Sequence, residues 1–232
     1  MAFRALIVVV GICAGTAPTH PGSLFPIDPT SGPAGTNASL FPGRDRGFFE
    51  QPLRLPDPLP ASPAAFPMAA PYGGPVAALR DLIAEAEAGP EGYDAVQWGA
   101  RIRPDKRPTA MTLGEIFTWI DATPGQPHAI GRYQFIPDTL DDLVTRMNLP
   151  PETRFDPTLQ DLLADSLLDE AGLQDFLSGR MGRTAFMNEI AQIWAGFPTS
   201  SGRSYYHGYA GNKATMSLGR FRARMTAIFP TG

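Results

Sequence analysis

Glu87 closes an apolar-striped segment, DLIAEAE, and is the residue best placed to exchange a proton with a ligand. It stands four residues, one helical turn, after Ile83, so its carboxylate borders the apolar stripe and can still face a groove. Partial desolvation disfavours the charged form and brings a carboxyl group toward the neutral pKa that general acid–base work requires. An acid of this kind can protonate the leaving oxygen of a glycosidic bond. Hydrolysis would add a second carboxylate, as nucleophile or water-activating base, at a set distance. Glu85, Glu91, Asp94 and Asp105 are the nearby candidates, with Asp94 preferred.

Two other stretches have the residue types that hold sugars, which set apolar ring faces against aromatics and hydroxyls against amides. GRYQ joins a cation (Arg132), an aromatic (Tyr133) and an amide (Gln134) ahead of a helix. SGRSYYHGYAGNKA carries Tyr205, Tyr206 and Tyr209 among glycines, too polar for a core and too aromatic for a simple linker. Other chemistries find no support. There is no GxSxG, HExxH or GxxxxGK[ST] pattern. Cys13 is the only cysteine, and His20, His128 and His207 are scattered without ligand spacing, so neither a metal nor a cofactor is expected.

The elements that must position these residues are mainly helical. PVAALRDLIAEAEAG begins with a proline suited to a first turn, repeats Leu79, Leu82, Ile83 and Ala86 on one face, and reaches a stop at Gly89. EGYDAVQWGARIRPDKRPTAM has turn formers and no sustained period, which predicts a loop or a short hairpin. TLGE at 112–115 is a capping box opening a helix with Leu113, Ile116, Phe117 and Ile120 inward. Pro137 starts another, and helical patterns cover about 156–171, 184–196 and 215–229. Strand signals are sparse. The expected fold is mainly α, an α+β arrangement with a small irregular or β portion.

Proline confines that fold to the C-terminal part. Of the 25 prolines in 232 residues, 14 fall between residues 18 and 75, a density no packed core accommodates, because each removes a backbone donor and fixes φ. Residues 18–75 therefore read as an extended or disordered linker, and 76–232 as the folded domain. The linker gives reach and could dock an envelope partner. Residues 1–17, MAFRALIVVVGICAGTA, have one positive charge, an apolar run and then small residues, the order of a signal peptide; an uncleaved anchor is the alternative. Export to the periplasm, the cell envelope or the medium follows. The net charge of −4 argues against nucleic acid. Residues 201–232 nonetheless hold five basic and no acidic side chains, a rim suited to an anionic polymer or simply a solvated helix face. A monomer is expected.

Taken in order, DLIAEAE, GYD (92–94), AIGRYQFIP (129–137), IWAGFP (193–198) and NKA (212–214) resemble the phage-lambda-type endolysin family, peptidoglycan lytic transglycosylases with a lysozyme-like fold. The resemblance runs from about Leu79 to the C-terminus. It implies that Glu87 is the catalytic acid, that Arg132, Tyr133 and Gln134 lie in the substrate-cleft loop, and that Tyr205 or Tyr206 lines the cleft. It also implies a substrate, the glycan strand of peptidoglycan, and a reaction needing a single carboxylate. The family usually has Gly after this Glu, where Ala88 stands here. A hydrolytic muramidase is the alternative: Glu85 and Asp94 share the nine-residue offset of hydrolytic phage lysozymes, although the threonine those enzymes carry six residues further on is Ala100. A non-catalytic wall-binding component is a third reading.

Overall fold

A computed structural model describes residues 70–209 and 212–231. The expected leader (1–17), with Cys13, and the proline-rich stretch as far as residue 69 lie outside the described residues. Seven α-helices occur among the described residues: α1 Gly74–Glu87, α2 Leu113–Ala122, α3 Pro137–Arg146, α4 Pro157–Glu170, α5 Leu173–Leu177, α6 Arg183–Ile193 and α7 Leu218–Ile228. In place of the hairpin or plain loop expected after α1 are two short 3-10 turns, Gly89–Asp94 and Pro108–Ala110. Among the described residues, extended pairing is limited to isolated bridges such as Val96 with Ile130 and Ile130 with Phe135. The fold is mainly helical.

Local chemistry explains most helix boundaries. Thr112 Oγ1 accepts from Glu115 N at 3.2 Å while Glu115 Oε2 accepts from Thr112 N at 2.9 Å, closing the capping box at the head of α2. Proline occupies the first turn of α1, α3 and α4, where a backbone donor would be unsatisfied in any case. Asp156 caps α4 and Ser217 caps α7 through their side chains. The five-residue α5 is too short to show a period, and sequence reading passes over it.

α4 is the central element. Leu159, Leu162, Leu163, Leu167 and Leu168 are buried, and so are Gln160 and Asp165, so the helix meets protein on most sides. The stripe of α1 joins the same core with Leu79, Leu82 and Ile83, all fully buried beside Phe135, Phe155 and Trp194. α1 also packs on α7, where Arg220 and Arg224 both pair with Glu85. Two of the five C-terminal cations are thereby committed to holding these helices together. Tyr72, ahead of α1, is already tied in: its N–H donates to Asp165 Oδ2 at 2.7 Å and its carbonyl accepts from Arg80 at 2.7 Å.

Candidate active site

Glu87 is the last residue of α1, and its carboxyl group meets the turn that follows α6. Gly196 N donates to Glu87 Oε1 at 2.9 Å. Only glycine allows this approach, because a Cβ at position 196 would lie 2.7 Å from Oε1 and 2.8 Å from Ala86 O. Thr215 clips the two strands of chain together. Its Oγ1 lies 2.9 Å from Ala86 O and 3.2 Å from Gly196 O, and its N–H donates to Gly196 O at 2.9 Å. The end of α1, the IWAGFP turn and the segment before α7 are thus held as one unit.

The other carboxyl oxygen, Oε2, is buried with no hydrogen-bond partner. Burial pushes the Glu87 pKa from 4.5 to about 7, and the Gly196 N–H offsets part of that rise. Glu87 as a whole is only half-buried, and it lines a cleft of about 220 Å³ with Glu91, Trp98, Arg103 and Gln134. A carboxyl group that keeps its proton near neutral pH beside a cleft is equipped to donate it. The endolysin family profile matches residues 77–221, more than half of the chain, which includes this cleft and the turn that holds Glu87. The chain belongs to the endolysin family. Neither the curated proteins nor the solved structures gave a match. As an endolysin the protein is a lytic enzyme of the cell wall, with peptidoglycan as its substrate.

In this endolysin the residues singled out by sequence separate into three places. Gln134 shares the cleft with Glu87. It is 4% exposed and held in a left-handed turn (φ 49°) by its N–H and its Nε2 on Gly131 O at 3.1 and 3.0 Å. Tyr133, one residue earlier, is fully buried, and its hydroxyl donates to Asp161 Oδ1 at 2.5 Å. Arg132 turns the same way, to Asp81 at 2.5 Å and Tyr93 Oη at 2.9 Å. Both therefore belong to a polar network between α1 and α4, and neither lines the Glu87 cleft. Gly131 makes this split, since Gln160 Oε1 would lie 2.5 Å from a Cβ there and its backbone (φ 78°) favours glycine. Gln160 in turn accepts from Arg132 N at 2.8 Å and donates to Tyr93 O and Phe155 O, each at 3.0 Å.

The third place is the loop after α6. Tyr205 is exposed and stacks edge-on against Tyr206, whose hydroxyl donates to Gln192 O at 2.5 Å. Among the candidate second carboxylates, Asp94 accepts from Thr109 N at 3.0 Å and Thr109 Oγ1 at 2.7 Å, and so braces the second 3-10 turn. Glu85 faces α7. Glu91 is the one that reaches the cleft, 3.2 Å from Arg103. Sequence reading passed over Trp98 and Arg103 as cleft residues, because nothing in the loop that carries them has a period from which a direction could be read.

Proposed function

We propose that this endolysin acts as a lytic transglycosylase, with Glu87 as the one residue that both gives and takes the proton. The observation that carries the reading is the place of Glu87 on the wall of a cleft, as a carboxyl group that burial raises to about 7, with one oxygen held by a backbone N–H and the other without a partner. With Oε1 accepting from Gly196, the proton resides on Oε2. The terminal torsion of a glutamate is broad, so a small turn presents Oε2 to the bridging oxygen between N-acetylmuramic acid and N-acetylglucosamine. That oxygen takes the proton as its bond to the muramoyl C1 breaks. The Glu87 carboxylate then removes the proton of the muramoyl C6 hydroxyl, whose oxygen bonds to C1 and closes a 1,6-anhydro ring. The proton count balances, Glu87 ends protonated as it began, and no water is consumed.

The carboxylates around the cleft agree with a one-acid reaction. Asp94 lies outside the cleft lining, where its Oδ1 accepts from Thr109, and Glu91 is paired with Arg103. Glu91 nevertheless lines the same cleft and is the residue on which a hydrolytic muramidase would have to rely. The test is digestion of purified peptidoglycan by wild type, Glu87→Gln and Glu91→Gln, with products identified by mass spectrometry. Anhydro-muropeptides from the wild type and from Glu91→Gln, and none from Glu87→Gln, are the expected result. Products heavier by one water, lost in Glu91→Gln, would replace the transglycosylase by a muramidase. Sacculus binding without cleavage by the wild type would sink both in favour of a wall-binding role.

A further inference from the structure

Trp98 is the most exposed large apolar side chain among the described residues, 67% accessible, and it stands on the wall of the Glu87 cleft. Its exposure is imposed by its surroundings. Every other residue from 95 to 100 is buried, so the chain on both sides of the indole is anchored. Gln97 does most of the anchoring. Its N–H donates to Ala129 O at 2.9 Å, its carbonyl accepts from Ala100 N at 2.9 Å, and its side-chain oxygen accepts from Gly99 N. A tight, internally bonded turn therefore holds one large aromatic face in solvent beside a proton donor. Leaving an indole in water forgoes the stabilisation its burial would bring, and a rigid exposed aromatic in a concave site is the arrangement by which such residues bind ligands at low entropic cost.

The rest of the cleft indicates the ligand. A pyranose ring has an apolar C–H face and a polar rim. The indole offers a flat apolar surface, and Gln134 and Arg103 lie in the same cleft with an amide and a guanidinium. We propose that Trp98 is the stacking platform for an N-acetylhexosamine ring of the glycan strand, at the subsite that sets this ring beside Glu87. The inference rests on reading the cleft as the glycan site and adds to it a binding residue from the loop between the two 3-10 turns. Trp98 acts through binding, so its removal weakens the complex and leaves the Glu87 proton chemistry in place.

Tryptophan emission makes the proposal directly readable. The other two tryptophans, Trp119 and Trp194, are buried at 8% and 0%, so a sugar in the cleft reports through Trp98. The full-length Glu87→Gln protein is titrated with a tetramer of N-acetylglucosamine, following emission and, in parallel, heat. The expected result is a saturable change of emission that disappears in Glu87→Gln/Trp98→Ala, with binding weakened about tenfold and the melting temperature unchanged. Binding that leaves emission unaltered, equal affinity in the two proteins, or no saturable binding to Glu87→Gln overturns the platform. The two readings fail separately. Cleavage that depends on Glu87 but leaves Trp98 silent removes only the platform, whereas a Trp98 response in a protein whose wild type cleaves no peptidoglycan removes only the catalytic reading.

Discussion

Glu87 and Asp165 are both carboxyl groups raised by burial, to about 7 and about 6, in two quite different surroundings. Asp165 sits in a polar network on α4 with Arg80 Nη1 at 2.7 Å and Tyr72 N at 2.7 Å; Asp161, Asp169 and the hydroxyls of Tyr93 and Tyr133 are close by. After burial itself, the neighbouring carboxylates Asp161 and Asp169 push its pKa up, against the pull of the Tyr72 N–H and Arg80. Glu87 has a single backbone donor, and the cation lining its cleft, Arg103, is paired with Glu91. Both regions leave a carboxyl oxygen without a partner, Asp165 Oδ1 and Glu87 Oε2. A raised pKa or an orphan oxygen therefore does not mark a site of chemistry. What separates the two is a counter-ion at hydrogen-bond distance on one side and a cleft on the other.

The comparison can be broken most sharply at Glu87. Glu87→Gln is expected to lower peptidoglycan cleavage by about a thousandfold, within the range for removal of a general acid. It also changes the pH dependence of stability. A carboxyl pKa raised from 4.5 to about 7 means that the folded state binds more protons across that window, so wild-type stability falls as pH rises through it. The melting temperature of Glu87→Gln relative to wild type should rise between pH 5 and 8, and a constant difference would show that Glu87 ionises normally. Cleavage by the wild type should decline above about pH 7, where the acid loses its proton.

Arg80→Ala tests the other region. It strands Asp165 without its cation, and loss of one partner of a buried pair costs about 3 kcal/mol, read as a lowered denaturant midpoint. Activity per folded molecule should be kept; its loss would mean that the network shapes the site. Gly196→Ala places a methyl 2.7 Å from Glu87 Oε1 and is expected to cost about a hundredfold in turnover, from misplacement of the acid. Thr215→Val should cost about tenfold and move the alkaline limb of the pH profile upward, because a loosened Gly196 N–H no longer favours the carboxylate. Thr215→Ser should restore both. A Thr215→Val protein with reduced turnover and an unmoved limb would show that the clip serves stability alone.

Helices were legible wherever their signals were local. The stripe of α1, the capping box at Thr112 and the prolines at helix starts all act within a turn or two, and the structure follows them closely. The ordered motifs carried the family as well. GRYQ shows where locality ends: an aromatic between a cation and an amide reads as a sugar-binding loop, yet its side chains part at the turn. Gln134 reaches the cleft, whereas Tyr133 and Arg132 complete the α4 network.

The sequence by itself determined the mainly helical architecture, the endolysin membership and the glutamate at the end of α1, since each rests on spacing along the chain. Only the tertiary structure decided what makes that glutamate unusual. Its hydrogen-bond partner Gly196 is 109 residues away, and the Thr215 clip on Ala86 spans 129. Desolvation of Oε2 and the outward indole of Trp98 depend in the same way on how distant segments close around them. Burial and proton affinity are properties of a packed neighbourhood, and no window of sequence contains that neighbourhood.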